Sequence, residues 1–339
     1  VHVLSVRLSL FFKDKKKLPI PNNDFFFLLL FLPELREDVS NKRSLYRYME
    51  NIENDFPIKR FGKVAIDIIA FAALAVILVT IMSIPFSVLF LKTDKENPDS
   101  MFVFMLSETL MLIGVFLSAW IVWHFRGLSL AGLGRSLAMR RKDLLSGALL
   151  AIVLYAVGFG ISLLAGAVEI TGVTFNPSSL LISFVFFLLV AVTEELALRG
   201  FVLERMLQGG INKFWALFFS SVLFSLIHIG NPNFNFLSFI NILLAGVLLG
   251  SSYIYTRNLC FPIALHWFWN WIQGPVLGYE VSGNKFGESM LTLHLPEANL
   301  MNGGAFGFEG SMLCTVLMIL GTGVILKMFR IKDRKVCQN

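Results

Sequence analysis

Long apolar runs recur along this chain and restrict it to folds that suit a lipid bilayer. Hydrophobic residues make up 56% of the 339 residues, charged residues make up 15%, and the mean hydropathy is +0.71. A helix needs about 20 predominantly apolar residues to cross a membrane. Eight runs approach or reach that length, at about 64–91, 101–125, 144–168, 178–207, 214–230, 236–256, 259–277 and 310–329. The sequence therefore predicts an all-α fold, a polytopic membrane helix bundle with about eight transmembrane helices.

Lysine and arginine alternate between the connections in the pattern that membrane topology produces. They gather before the first run, after the second, fourth and sixth runs, and after the last, at Arg60, Lys63, Arg126, Arg135, Arg140, Arg141, Lys142, Arg205, Lys213, Arg257, Lys327, Arg330, Lys332, Arg334 and Lys335. The other connections carry only Lys92, Lys95 and Lys285. Because cytoplasmic loops are enriched in Lys and Arg, both termini are predicted to be cytoplasmic.

The formal charge of +6 does not indicate a nucleic-acid partner. The excess of positive charge lies in short loops and at the two ends, where membrane topology accounts for it. The three cysteines, Cys260, Cys314 and Cys337, lack the spacing of metal ligands and are predicted to be free thiols.

The first 48 residues differ in character from the rest of the chain. Their longest apolar block, 25–32, is far too short to span a membrane, and no small-residue cleavage site follows it. We expect residues 1–48 to be an N-terminal extension that is disordered or not translated, with Met49 as the start of the protein.

Three charged residues stand inside the fourth apolar run, in Thr193-Glu-Glu-Leu-Ala-Leu-Arg199. Each charge near the centre of a membrane helix costs about 2.5–3.5 kcal/mol unless it has partners and a use. Glu195 and Arg199 have the i, i+4 spacing that favours an ion pair. Glu194 lies about 140° from Arg199 around the helix and cannot easily share it. Glu195 is thus predicted to be structural, and Glu194 is predicted to be free to act as a general base.

Two further polar sets lie in the fifth and seventh runs, Phe224-Ser-Leu-Ile-His228 and His266-Trp-Phe-Trp-Asn270. At about 1.5 Å per helical residue, their polar groups reach depths that overlap with that of Glu194. His266 and Asn270 share one helix face and could donate hydrogen bonds to an oxyanion, while Glu194 and His228 could activate a water molecule. This combination predicts peptide-bond hydrolysis inside the membrane.

The patterns EExxxR, FxxxH and HxxxN occur in this order on three polar-bearing membrane helices. Together they resemble the motif set of the CPBP family of intramembrane proteases, which includes type II CAAX prenyl endopeptidases, Abi-type proteins and bacteriocin-immunity proteins. The resemblance covers roughly residues 140–277. It implies catalytic and supporting roles for six residues: Glu194 and His228 for the water, His266 and Asn270 for the oxyanion, and Glu195 and Arg199 in support.

The resemblance leaves the role of a metal open, because members are described both as metal-free glutamate proteases and as metalloproteases. Glu194, His228 and His266 could supply three ligands to a catalytic zinc ion, yet an unpaired glutamate also suffices as a base. The sequence contains no His-Glu-x-x-His motif, no rhomboid-type Gly-x-Ser-Gly motif and no paired membrane aspartates. The nucleophile is therefore predicted to be water.

The implied substrate is a membrane-associated or prenylated, CAAX-like peptide or protein, and the lipid bilayer is the other expected partner. Two alternatives stay open at this point. A non-catalytic immunity or scaffold protein could bind a peptide without cutting it. A secondary transporter could also bury Glu, Arg and His, although it should show internal repeats, and none is apparent.

These features divide the chain into five parts. They are the extension (1–48), the N-terminal transmembrane helices (49–140), the protease core (141–277), an extracytoplasmic loop (278–309), and the last helix with its basic cytoplasmic tail (310–339).

Several other residues are predicted to be structural. Asp67 and Glu108 are isolated in their apolar runs and receive no chemical role. The three tryptophans at 267, 269 and 271 are expected to pack at a bulky helix interface. Gly246 and Gly250 form a small-xxx-small pattern that indicates close helix packing.

Overall fold

The computed structural model describes residues 57–93, 101–126, 136–296 and 299–336. The predicted extension at 1–48, Met49 and Cys337 lie outside this part of the chain. Eight helices account for most of the described residues. They are α1 (Pro57–Thr93), α2 (Met101–Phe125), α3 (Arg141–Leu164), α4 (Pro177–Gln208), α5 (Lys213–Ile227), α6 (Phe236–Thr256), α7 (Cys260–Trp271) and α8 (Met312–Val336).

The helices confirm a polytopic membrane bundle. Six of them, α1 to α4, α6 and α8, are long enough and apolar enough to cross a membrane. The two others are shorter: α5 has 15 residues, and α7 has 12 residues before it continues as a π-helical turn, Ile272–Val276. Helix α7 carries His266 and Asn270, and His228 directly follows α5.

Asparagine caps fix where three of these helices begin. The side chains of Asn176, Asn212 and Asn235 each accept a hydrogen bond from a backbone N–H in the first turn of α4, α5 and α6. Helix α5 ends at Ile227, earlier than the predicted limit near 230, because Gly230 and Pro232 follow and disfavour helix. His228 therefore lies immediately after the last helical residue.

Three loops meet at one end of the bundle, which we call the loop end: residues 165–176, 228–235, and 277–296 with 299–311. Strand β1 (Glu169–Val173) pairs antiparallel with β2 (Leu291–His294), which joins the first loop to the third. The side-chain amide of Asn231 donates to the carbonyl of Ser282 at 3.0 Å, which joins the second loop to the third. The three described connections that are poor in Lys and Arg thus share one end, as their alternation predicts.

The opposite end, the basic end, is held by two buried acids. Arg126 donates to one carboxylate oxygen of Asp67 at 2.5 Å, and Arg205 donates to the other at 2.7 Å. Arg257 donates to Glu204 at 2.7 Å. The expectation that Asp67 is isolated was wrong, because its partners come from α4 and from the residue after α2, far away in sequence.

Helices α5 and α6 approach closely at Gly246. A Cβ atom at this position would lie 2.8 Å from the Cα atom of Ser221, too near for any other residue to fit without movement. At Gly250, a Cβ atom would lie 2.5 Å from Leu217. The predicted close packing is confirmed. The carbonyl of Gly246 is also accessible to Arg199, from which it accepts a hydrogen bond.

Candidate active site

Glu195 and Arg199 form the predicted ion pair inside α4. The guanidinium donates to Oε1 of Glu195 at 2.8 Å and to the carbonyl of Gly246 at 2.9 Å, and it lies 4.7 Å from the ring centre of Phe224. Both side chains are almost completely buried. A π-helical stretch, Leu196–Leu203, begins directly after Glu195 and contains Arg199. Such stretches are rare and often occur at functional sites.

Glu194 is the carboxylate that this pairing leaves over. Its side chain is 22% exposed and lines a cavity. Among the described residues, no group donates a hydrogen bond to its buried Oε2 atom, and Arg199 makes no ion pair with it. Its nearest charged contact is Nε2 of His266, 3.9 Å from Oε2. The two adjacent glutamates thus differ in environment as the sequence predicts.

His266 also contacts Glu195, a pairing that the sequence pattern did not indicate. Nδ1 lies 3.0 Å from Oε1 of Glu195, and because an ionised carboxylate only accepts, Nδ1 carries the hydrogen. In the neutral ring, Nε2 then presents a lone pair toward Glu194. His266 can donate to an oxyanion only when both ring nitrogens carry hydrogen, with the two carboxylates as counter-charges.

Asn270 lies one helical turn after His266 and lines the same cavity. The residue is only 6% exposed. No hydrogen bond joins its side-chain amide to another described residue, so the amide is available to a ligand in the cavity. It is the neutral donor of the site that is free to bind a ligand oxygen.

His228 follows α5 and has a fixed ring orientation. Nδ1 lies 2.7 Å from the carbonyl oxygen of Phe224, which can only accept, so Nδ1 carries the hydrogen and Nε2 is an acceptor in the neutral ring. The ring of Phe224 contacts His228 at a centroid distance of 4.8 Å and also packs against Arg199. Phe224 is buried in the core, and its ring also orients two site residues.

One cavity of about 370 Å³ brings these side chains together. Its walls come from α2, α4, α5, α6, α7, α8 and the loop end, and four of the predicted residues line it: Glu194, His228, His266 and Asn270. Glu195 and Arg199 are buried behind the residues that line the cavity. The remaining surface is largely apolar, with Phe186, Phe187, Leu249 and Trp269 among its residues, which suits an apolar ligand.

Two further glutamates, Glu108 and Glu309, line the cavity and were missed from the sequence. Glu108 was visible as a charge in an apolar helix, but nothing in its spacing linked it to the motifs. It lines the cavity together with Glu194 and His266 and interacts electrostatically with both. The expectation that Glu108 is isolated was therefore wrong.

Glu309 ties the loop end to α7. It accepts hydrogen bonds from Nε1 of Trp269 at 3.0 Å and from the backbone N–H and hydroxyl of Ser282 at 2.9 and 2.7 Å. Ser282 itself lines the cavity. The role of Glu309 is therefore to position the loop that covers the site.

The other two tryptophans of α7 pack as predicted. Nε1 of Trp267 donates to the carbonyl of Phe184 at 2.8 Å, and Nε1 of Trp271 donates to the carbonyl of Leu180 at 3.2 Å. Both indoles also lie against the ring of Phe184. These contacts fix α7 on α4 and thereby fix His266 relative to the two glutamates.

Glu194, His228 and His266 are the residues that would hold a zinc ion. Within the described ranges, no three His, Cys, Asp or Glu side chains converge as a group that could hold a metal ion. These residues do not fit a preformed zinc site.

Comparison with known protein families identifies the segment that carries this site. Residues 176–272 match a family model described as Type II CAAX prenyl endopeptidase Rce1-like. The resemblance to the CPBP proteases is confirmed. The matched segment begins at the cap of α4 and includes all six motif residues, whereas Glu108 and Glu309 lie outside it. Searches of curated proteins and of solved structures found no match.

Proposed function

We propose that this chain is an intramembrane endopeptidase that hydrolyses a peptide bond of a membrane-associated or prenylated, CAAX-like substrate through a water molecule activated by Glu194. The observation that carries this proposal is the unpaired Oε2 of Glu194 in a cavity that it shares with His228, His266 and Asn270. The family match supports CAAX-type endopeptidase activity in general terms.

The first step joins water to the scissile carbonyl. Water binds between Glu194 and the free Nε2 of His228, and Glu194 takes its proton as the oxygen attacks the carbonyl carbon. The carbonyl oxygen becomes an oxyanion, which accepts a hydrogen bond from the Asn270 amide and, when His266 is doubly protonated, from Nε2 of that ring. Removing one such donor typically lowers kcat by about 10²–10³-fold.

The second step breaks the C–N bond. The oxyanion collapses to a carboxyl group, and Glu194 returns its proton to the leaving amine, so the carboxylate is regenerated. Glu195 and Arg199 take no part in these proton transfers. Arg199 neutralises Glu195, and Glu195 holds His266 through Nδ1, which keeps Nε2 directed at the reacting atoms.

The test uses the Glu194→Gln variant, which keeps the size of the side chain but replaces the basic carboxylate with an amide that cannot act as a general base. Purified wild-type protein in liposomes is given an internally quenched peptide that ends in a prenylated cysteine and three further residues. We expect cleavage by wild type, a loss of about 10²–10⁴-fold for Glu194→Gln, and no loss for the control Glu169→Gln on the exposed strand β1.

The same experiment separates the alternatives. Equal cleavage by wild type and Glu194→Gln would contradict the proposed mechanism. Binding of the peptide without cleavage by wild type would favour the non-catalytic immunity or scaffold protein. Uptake of a small solute into the liposomes, abolished by Glu194→Gln, would favour the transporter.

We also propose that both termini are cytoplasmic, because the basic end carries Arg126, Arg140, Arg205 and Arg257 while the loop end carries only Lys285 among its described residues. In this orientation the loop that covers the cavity is extracytoplasmic. Cysteines introduced at the exposed positions Lys285 and Arg141 provide a matched pair for labelling by a membrane-impermeant maleimide. Intact cells should label Lys285→Cys and not Arg141→Cys, and the reverse pattern would overturn the orientation.

A further inference from the structure

Glu108 is a carboxyl group in the cavity that belongs to none of the three motifs and has no role in the proposed proton transfers. It lies on α2, outside the matched segment 176–272, and lines the cavity together with its neighbours Ser107 and Met111. Its Oε1 atom is buried, and no described residue donates a hydrogen bond to it. Its electrostatic interactions are with Glu194 and His266, both at the candidate site.

A purely structural role does not explain this placement. A buried acid that stabilises a fold has its oxygens paired, as Asp67 has with Arg126 and Arg205. No Lys or Arg pairs with Glu108 within the described ranges, and one of the two charged groups that act on it is another acid, Glu194. A carboxyl oxygen that no described protein group pairs, on a residue that lines a candidate active site, is placed for a ligand that brings its own donor.

The chemistry of a peptide bond indicates what that donor is. In a trans peptide the C=O and the N–H point in opposite directions. The Asn270 amide is a donor for the carbonyl oxygen, so a site that holds the whole bond also needs an acceptor for the N–H. Glu108 is on α2 and Asn270 is on α7, and both line the one cavity.

We propose that Glu108 is a further catalytic residue, whose free Oε1 accepts a hydrogen bond from the N–H of the scissile peptide and then from the leaving amine. This inference rests on the proposed protease function. The interaction strengthens during the reaction, because the nitrogen gains positive charge as it takes the proton from Glu194. Glu108 transfers no proton, so Glu194 still carries the proton from the water to the leaving amine.

The decisive experiment changes the substrate as well as the protein. Glu108→Ala is compared with wild type on the quenched prenylated peptide and on the matching ester, in which oxygen replaces the scissile N–H. We expect Glu108→Ala to lower kcat/KM for the amide by about 10–100-fold, the range for one hydrogen bond to a charged group. The ester offers no donor, so its cleavage should fall less than about threefold. Glu108→Gln retains an acceptor and should keep most of the amide activity.

The controls distinguish this inference from the proposed function. Thr109→Val is the neighbouring control on α2, because the Thr109 hydroxyl bonds only to its own helix at the carbonyl of Met105. Glu194→Gln should abolish cleavage of amide and ester alike. If Glu108→Ala lowers kcat/KM equally for the amide and the ester, the role of Glu108 is structural and the inference is overturned. The role of Glu194 is unaffected by that result.

Binding provides a readout that does not need cleavage. In the Glu194→Gln background, adding Glu108→Ala should weaken binding of the amide peptide and leave binding of the ester peptide unchanged. Equal binding of the amide peptide with and without Glu108 would overturn the inference.

Discussion

Two groups of buried acids lie along α4 and its neighbours, and they differ in how their oxygens are used. At the basic end, Asp67 is shared by two arginines, and Glu204 accepts hydrogen bonds from Gln208, Tyr253 and Arg257. At the cavity, Arg199 pairs with Glu195 alone. One oxygen each of Glu108, Glu194 and Glu195 has no donor among the described residues.

The difference separates structural charges from functional ones. Asp67 and Glu204 share three arginines, Arg126, Arg205 and Arg257, so each of their carboxylate oxygens is satisfied and each acid joins segments that are distant in sequence. Around the cavity, Glu108, Glu194 and Glu195 have one arginine between them among the described residues, an arrangement that lowers stability and persists only where a ligand or a reaction uses it. Position inside an apolar helix does not distinguish the two groups, whereas the pairing of each oxygen does.

The largest effect on stability is expected from Asp67→Ala at the basic end. Removing this acid leaves Arg205, which is mostly buried, without its partner, and breaking a buried pair in this way costs about 3–5 kcal/mol. The free energy of unfolding, measured by denaturant titration in micelles, should fall by that order, while cleavage per folded molecule stays unchanged. Lost activity in a fully folded Asp67→Ala protein would show that the basic end is part of the site.

The next effect is expected from Asn270→Ala in the cavity. Loss of its free amide should lower kcat by about 10²–10³-fold, because the oxyanion loses a donor. Stability should change little, because the amide has no protein partner among the described residues. A variant that is strongly destabilised but retains its kcat would place Asn270 with the structural group instead.

The smallest effect concerns Glu280, which lies in the loop above the cavity. Burial raises the pKa of Glu280 above its ordinary value of 4.5, and Lys285 partly opposes this shift. The folded state thus binds the proton more tightly than the unfolded state, so stability falls as pH rises from 4.5 through the raised pKa. Glu280→Gln should have a higher melting temperature than wild type at pH 7, and the difference should vanish below pH 4.5. A difference that does not depend on pH would contradict this explanation.

Much of the fold and of the site could be predicted from sequence because helix periodicity and charge position are local properties. The apolar runs are visible in the local composition. The pairing of Glu195 with Arg199, which leaves Glu194 unpaired, follows from residue spacing along one helix. The contact between His266 and Glu195 could not be predicted, because it depends on how α7 packs against α4 through Trp267 and Trp271. The same limit explains why Glu108 and Asp67 were wrongly treated as isolated.

The most direct test of the distinction between paired and unpaired acids compares Glu194→Gln with Glu204→Gln, two equivalent changes on one helix. Cleavage of the quenched prenylated peptide and thermal stability are measured on both purified proteins. We expect Glu194→Gln to lose activity by about 10²–10⁴-fold and to keep its stability. Glu204→Gln should keep its activity per folded molecule and lose about 1–3 kcal/mol of stability, because Arg257 and Tyr253 lose a charged acceptor. Retained cleavage by Glu194→Gln, or the same pattern in both variants, would contradict the account.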